Sequence, residues 1–542
     1  MANAAVEIAQ HQRTAPSAST HEAAPTSGAG RVLLIRQAVL LSLLAFLVRV
    51  PSFSRPYWSP DEGYLGTEAV LLREGGTMYV DVVDRKPPLL PWLYQASFAI
   101  TDSHGLWLVR VLAVVALALT GVLAARLAAR WWGSWAEFPA GVLTVAGSAA
   151  LPAPDAMAAT FEIFMLPATV AAMYYGARSR FLLAGLAVAI ATLTKQVGLA
   201  LLLPLAVQIL FERRRSRQGA ALAAGVALPL ALCALLLGVR PFTFWVFLSS
   251  GSYASSPPAV GEVIGRATGS LVCLLSAFAI CVVLMPLLPW RNRLRRFRPG
   301  VPADEESAVI PVQQRARRRP GISRTLGLWL LASLTAVAAG WHFYGHYFLQ
   351  LVPPMALGSL WLVDAAWRAG SAGPRKLRQL VLARGRAGAA AMLATCALSA
   401  AGVWTATAVQ ARPPEMDKVL RVVTVVEERT APGQRVLQWG MHPEIYWLSG
   451  RRPASRYLTA GLLTNFSGGG DPARVGPRYA VPGTWGRFRR ELAESPPCLV
   501  VDDSSETPYR LAEYPQLREL LAQDYHEVAE VEGTRLYKRT TC

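Results

Sequence analysis

Apolar runs of 15 to 24 residues recur along this chain, separated by short polar breaks. Runs of that length with almost no charge match the hydrocarbon core of a bilayer when coiled as helices. They fall near residues 32–50, 106–129, 136–151, 157–176, 180–194, 197–211, 219–238, 268–289, 324–340, 347–366 and 387–409. The pattern predicts an all-α polytopic membrane protein of about eleven transmembrane helices. Segments 180–194 and 197–211 read either as two tilted helices or as one bent segment. A long polar stretch, 51–105, interrupts the series after the first run. Beyond residue 409 the series stops. Residues 413–542 carry strand-like runs at Arg435–Trp439 and Cys498–Asp502, with helical patterns at 415–429 and 514–523, which together predict a small α/β domain. The expected organisation is a disordered tail over 1–30, a transmembrane domain over 31–410 that contains loop 51–105, and an α/β domain over 411–542. The first apolar run is long and begins after residue 30, unlike a cleavable signal.

Charge sets the expected orientation. Counting loops from an inside N-terminus, the even ones hold Arg126 and Arg130, Arg178 and Arg180, then Arg213, Arg214, Arg215 and Arg217. Further even loops hold Arg291, Arg293, Arg295, Arg296 and Arg298 with Arg317, Arg318 and Arg319, then Arg375, Lys376 and Arg378. The odd loops beyond the first are nearly bare of positive charge. Positive residues concentrate on the cytoplasmic side, so the N-terminus is expected inside and the α/β domain outside the cytoplasm. Loop 291–323, basic and proline-rich with Asp304, Glu305 and Glu306, reads as a cytoplasmic linker near anionic headgroups.

Composition narrows the class. With 53% hydrophobic and 16% charged residues the chain is too apolar for an ordinary soluble enzyme, and its net charge of +19 sits at the ends of apolar runs rather than on a nucleic-acid surface. The six cysteines show no metal or redox spacing; Cys498 and Cys542 are free to pair in an oxidising compartment. No nucleotide-binding glycine motif, Walker sequence or nucleophile elbow is present. The Asn465-Phe466-Ser467 sequon reads as idle, given an Ala/Arg/Gly-rich composition that points to a bacterial source.

The polar groups that remain share one side. The assigned topology sends Asp61, Glu62, Asp81, Asp84, Arg85 and Lys86 outward, along with Asp155, Glu162, Lys195, His342 and His346. Ionisable groups near hydrocarbon are costly unless paired, solvated or functional. Asp61 and Glu62 follow Pro60 at a helix start and diverge by about 100° on that helix, so one suits a general base and the other an orienting role. Their structural alternative is a pair of charges complementing the helix dipole. In Asp84-Arg85-Lys86-Pro87-Pro88 the prolines forbid helix and present two cations suited to phosphate. A salt-bridged turn is the plainer account. Glu162 and Lys195 border apolar runs and His346 follows His342 at i, i+4; polar cavity, ion pair, half metal site and hydrogen-bonded interface all fit.

Asp61-Glu62 after the first run, Asp84-x-Lys86-Pro87-Pro88-Leu89, Thr194-Lys195-Gln196 and Gly345-His346-Tyr347 through Pro354 occur in an order that resembles the dolichyl-phosphate-mannose protein mannosyltransferase family, including the bacterial aminoarabinose transferase-like branch. Val436–Gly440 and Glu444–Arg451 extend the resemblance into the C-terminal part. It implies a GT-C fold and an inverting transfer of sugar from a polyprenyl-phosphate donor to a protein, lipid or glycan hydroxyl on the outer membrane face. Carried over, Asp61 is the base, Glu62 supports substrate placement, and Lys86 contacts the phosphate. Asp84, Arg85, Asp155, Glu162, Lys195 and His346 complete the expected substrate site. Relatives often place His or Glu where this chain has Arg85, so a divalent metal at His346 is not expected and no cofactor is required. The rival class, a transporter or flippase of a lipid-linked or anionic solute, calls for internal repeats and broken helices with midplane charge. Neither is visible here.

Overall fold

The computed structural model describes residues 28–102, 104–249, 251, 258–285, 321–372, 375–408, 412–466 and 471–542. The expected tail lies outside the described residues except for 28–30, which are helical; loop 291–323 lies outside them up to 320, and so does Ser467 of the sequon. By contact the chain forms two units, Met1–Leu40 and Leu41–Cys542. In the first, Val32, Leu33, Ile35 and Val39 are exposed apolar side chains on the opening half of α1 (Gly28–Arg49).

Each of the eleven apolar segments carries helix. After α1 come α2 (Pro60–Arg73), α3 (Leu89–Thr101), α4 (Trp107–Trp132), α5 (Ser134–Gly147), α6 (Phe161–Ala177), α7 (Phe181–Thr194), α8 (Leu202–Ile209) and α9 (Arg215–Leu237). Next are α10 (Val260–Ala277), α11 (Ile322–Ala338), α12 (Val352–Ala372) and α13 (Arg375–Ala408). Six helical stretches among the described residues are long and apolar enough to cross a membrane: Arg31–Ser54, Trp107–Trp132, Arg215–Leu237, Val260–Ala277, Gly345–Arg368 and Arg378–Gly402. Helices α7, α8 and α11 are apolar but shorter. This is a multi-pass membrane protein. Segments 180–194 and 197–211 are separate: α7 stops at Lys195, and a 3-10 stretch (Gln196–Leu201) leads into α8. Loop 51–105 is not a plain loop, because α2 and α3 lie within it.

Small residues set the bundle's spacing. Ala124, Ala128, Ala136, Ala140, Ala184, Ala187 and Ala191 are buried in its core. Where α7 meets α9, a Cβ on Gly185 would lie 2.4 Å from the Leu222 carbonyl oxygen, and one on Gly225 the same distance from that of Leu182. Two glycines therefore let the backbones touch, the usual basis of close helix packing in lipid.

The C-terminal part is α/β, as the pattern predicts. Helix α14 (Pro414–Arg429) precedes β1 (Arg435–Trp439), α15 (Glu444–Ser449), β2 (Arg452–Pro453), α16 (Thr484–Glu494), β3 (Leu499–Asp502), α17 (Pro515–Asp524), β4 (Tyr525–Val531) and β5 (Thr534–Arg539). The sheet order is β2-β1-β3-β5-β4. Strand β1 runs parallel to β2 and β3, pairing Val436 with Leu499, while β3–β5 and β4–β5 are antiparallel. The β4–β5 hairpin turns through Glu532 and Gly533, both at positive φ, the twist that two-residue hairpins require. Cys498 and Cys542 form a disulfide beside this sheet. Trp447 and Met416 join a cluster with Leu65, Tyr94, Phe98 and Phe161, so the sheet region packs directly on α2 and the helices beside it.

Candidate functional site

Helix α2 begins with Ser59 as its cap, the side chain accepting the Asp61 N–H at 3.3 Å, and with Pro60 in the first turn. Both carboxylates therefore sit where the helix dipole favours negative charge. The helical phase then parts them. Asp61 faces a cavity. Glu62 turns inward, fully buried, and accepts the N–H groups of Trp58 at 2.5 Å and Ala159 at 2.8 Å. It does not line the cavity, whereas the resemblance implies a part in substrate placement for Glu62. Arg49, buried at the end of α1, donates to the carbonyls of Ala156 and Met157, both at 2.8 Å, and of Ala158 at 3.2 Å. Glu62 and Arg49 thus pin the segment that follows Asp155.

The cavity measures about 460 Å³. Asp61, Asp84, Arg85, Lys86, Asp155 and His346 line it, among the aromatic rings of Trp58, Tyr64, Phe161, Tyr344 and Tyr347. Met441, His442, Thr459, Leu462 and Phe466 close it from the C-terminal part. An apolar pocket with a few convergent charged groups is the usual form of a ligand site.

Four segments carry the charged lining, the start of α2 with Asp61 being the first. Residues 84–88 are non-helical and bend at Arg85 and Lys86 ahead of α3. Gln196 Nε2 donates to the Arg85 carbonyl at 3.2 Å and the Tyr79 hydroxyl to that of Lys86 at 2.8 Å, fixing the bend. Lys86 Nζ stands 4.4 Å above the Phe161 ring. Asp155 sits in the helical turn Ala153–Met157 and accepts the His346 N–H at 2.8 Å, with His346 Nδ1 at 3.2 Å. His346 Nε2 is 3.7 Å from the Asp61 carboxylate. One imidazole thus stands between two carboxylates from distant parts of the chain.

Two expectations are corrected. Glu162 and Lys195 pair with each other and are both buried, and Lys195 Nζ lies 3.7 Å above the Tyr347 ring. The pair supports the cavity wall from behind and does not line it. His342 and His346 do not share a helical face: Trp341 and Phe343 adopt positive φ, and the backbone stays non-helical up to Gly345. The two imidazoles flank Tyr344 as a stack, each centroid 5.8 Å from its ring, so they do not form half a metal site.

Sequence reasoning passed over four contributors. Arg49 was hidden near the end of an apolar run. Gly345 gives Asp155 its room, since a Cβ there would lie 2.2 Å from Asp155 Oδ2. Glu68 lies two turns after Asp61 on α2, fully buried, and neither carboxylate oxygen has a hydrogen-bond partner. Burial raises its pKa well above the carboxylate range and the nearby charge of Asp84 adds to this, against the pull of Lys86.

The fourth is His442. Among the described residues, Glu415, His442 and Asp503 are the grouping whose atoms come within metal-ligand reach, 4.8 Å. Its donors and acceptors are matched without an ion. His442 Nδ1 is 2.9 Å from Glu444, Nε2 is 3.0 Å from Glu415 and 3.4 Å from Asp503, and Lys418 Nζ is 2.7 Å from Asp503. Two ring nitrogens facing carboxylates require a doubly protonated ring. Burial alone would lower the His442 pKa; the hydrogen bonds to Glu415 and Glu444 outweigh it and raise the value to about 10.

Comparison with known proteins fits this geometry. Residues 85–237, which include Arg85, Lys86, Asp155, Glu162 and Lys195, match the family model described as dolichyl-phosphate-mannose-protein mannosyltransferase. A crystal structure of ArnT from Cupriavidus metallidurans bound to undecaprenyl phosphate superposes with a TM-score of 0.54 at 15% identity, covering 94% of this chain and 98% of that one. The chain has the GT-C glycosyltransferase fold. The apo structure of the same ArnT gives a TM-score of 0.56 at 15% identity, covering 94% of this chain and 97% of that one. Another GT-C relative in fold, the Archaeoglobus fulgidus oligosaccharyltransferase in complex with Zn and sulfate, gives 0.52 at 14% identity over 93% of this chain and 73% of that one. No curated protein matches the sequence. The resemblance carried by the motifs is therefore borne out in the GT-C fold and, over residues 85–237, in the match to the mannosyltransferase family model.

Proposed function

We propose that this chain transfers a sugar from a polyprenyl-phosphate donor to an acceptor hydroxyl at the non-cytoplasmic membrane face, inverting the anomeric centre. The observation that carries the reading is one cavity with Asp61 on one helix and the Arg85–Lys86 pair on a separate bend. Displacement at an anomeric carbon needs both. The carbon–oxygen bond to the phosphate breaks as the acceptor oxygen bonds from the opposite face, so a base and a cation belong on opposite sides of the sugar.

In this scheme Asp61 takes the acceptor proton. The departing polyprenyl phosphate keeps the electron pair of the cleaved bond, and Lys86 and Arg85 balance the negative charge that it gains. His346, held by Asp155, stands beside the Asp61 carboxylate on the cavity wall and helps to fix its position. Asp84 is the third carboxylate on the wall and orients sugar hydroxyls. The reading needs no metal, because Arg85 and Lys86 already supply fixed positive charge. The acceptor side is supported by the residues that the sheet region adds to the wall. The positive-residue pattern and the Cys498–Cys542 disulfide both favour a non-cytoplasmic sheet region.

The test uses purified protein in nanodiscs with a panel of radiolabelled polyprenyl-phosphate hexoses and pentoses and a cell-envelope acceptor fraction. Wild-type protein is expected to move label to the acceptor, and Asp61→Asn to lose roughly 10³-fold or more in kcat at nearly unchanged donor KM. Transfer that survives Asp61→Asn removes the base assignment. A protein that moves intact labelled lipid across the bilayer without cleaving it is a flippase, and the reading fails.

A further inference from the structure

The sheet region holds an ion cluster centred on His442, a ring that borders the cavity and also ties together the elements behind it. Three carboxylates reach His442 from three places: Glu415 in the first turn of α14, Glu444 at the start of α15, and Asp503 just after β3. Lys418 and the Thr534 hydroxyl complete the shell of Asp503. Tyr57, before α2, faces Glu444 as well. The charged atoms thus join α14, α15, β3 and β5 around a single ring.

Helix α15 passes that order on to α2. Glu444 is fully buried and lies against Gly63, where a Cβ would come 2.6 Å from the Glu444 Cβ and 2.8 Å from its Oε2. One turn on, a Cβ at Gly66 would come 2.8 Å from the Trp447 ring. Thr67 donates its hydroxyl proton to the Pro443 carbonyl at 2.7 Å. Gly63, Gly66 and Thr67 form one docking line on α2, and Asp61 stands two residues before it. Nothing but a bare backbone fits at the two glycines of that line, so the approach of α15 sets where α2, and with it Asp61, can lie.

We propose that His442 is a positioning residue for sugar transfer, clamping α15 so that α2 presents Asp61 at its working distance. The clamp rests on the function proposed above for Asp61. His442 touches neither reacting atom in this role. It acts through Glu444 and the glycine line, and its loss changes the angle of a helix rather than the affinity for the donor.

The experiment pairs His442→Gln with the milder Glu415→Gln, whose carboxylate is largely exposed. Hydrogen exchange of peptides over 60–73 and over 181–194, which lies outside the clamp, is measured with the full chain in nanodiscs. Transfer is measured with the labelled polyprenyl-phosphate panel. His442→Gln is expected to speed exchange over 60–73 alone and to lower kcat roughly ten- to a hundredfold with donor KM within about twofold; Glu415→Gln shifts both in the same direction, less far. Unchanged exchange over 60–73 in both variants overturns the clamp. So does a rise in donor KM at constant kcat, or a divalent metal that copurifies with wild type and is lost in His442→Gln. If wild type transfers no label, the function falls, while exchange over 60–73 still decides whether the clamp exists.

Discussion

Asp155 occupies the space that a side chain on Gly345 would need. A Cβ at that position would lie 2.2 Å from Oδ2 and 2.5 Å from the carboxyl carbon, closer than such atoms approach. Asp155 uses that space to hold the backbone N–H and ring of His346. Gly345→Ala should therefore push Asp155 aside and free the imidazole next to Asp61, lowering kcat about tenfold or more. Asp155→Ala should cost a similar amount, and the double variant no more than either single one, because both changes remove the same contact. Additive losses in transfer assays would show that Gly345 and Asp155 act separately.

Lys86 and Arg85 differ in what each can do for a phosphate. Lys86 offers a compact charge over an aromatic face, while Arg85 offers a planar fork. Lys86→Ala should raise donor KM about tenfold or more, and Lys86→Arg should keep most of the affinity. Polyprenyl phosphate binding, measured by titration in nanodiscs across a salt series, should weaken in parallel. Loss of transfer with donor affinity intact would remove the phosphate role.

Glu162 and Lys195 form a buried pair, and a buried charge left without its partner is costly. Lys195→Met alone should destabilise the protein by about 3–5 kcal/mol. Adding Glu162→Gln should recover most of that loss, since no stranded charge remains. Thermal unfolding of the single and double variants in detergent decides it; equal loss in both would mean that packing, not charge, sets the cost.

Much of the fold is written in run length. Apolar stretches near the bilayer thickness locate α1, α4, α9 and the later helices, whereas α3, at 13 residues, is too short to stand out from its polar surroundings. The hairpin β4–β5 stayed hidden because its exposed side chains, among them His526, Glu527 and Glu530, do not alternate with apolar ones. Within the cavity, Asp61, Asp84, Arg85, Lys86, Asp155 and His346 were legible as charges bordering greasy runs. Their directions were not. Glu62 differs from Asp61 only by helical phase, and Glu162 and Lys195 face each other because of a packing contact between distant segments. The spacing of His342 and His346 suggested one helical face only because nothing local in Trp341-His342-Phe343 announces two positive φ angles. His442 was illegible for a related reason: Glu415 and Asp503 reach it from segments far apart in sequence.

Glu68 carries the last prediction, and its sign follows from linkage. Burial, with the charge of Asp84, holds its pKa well above the ordinary carboxylate value, so the folded chain keeps a proton that the unfolded chain gives up. The stability tied to this proton is fully present below the unfolded pKa of about 4.3 and is lost as pH rises toward the folded value. Gln has the shape of the protonated acid and nothing to titrate. Glu68→Gln should therefore match wild type near pH 4 and become the more stable protein at neutral pH, by about 2 °C or more in Tm. The measurement is Tm against pH, from about 4 to about 8.5, for both proteins in the same detergent. A difference that does not grow with pH would mean that Glu68 is ionised in the folded protein and has a counter-charge, and the proton would have to be moved elsewhere in the site.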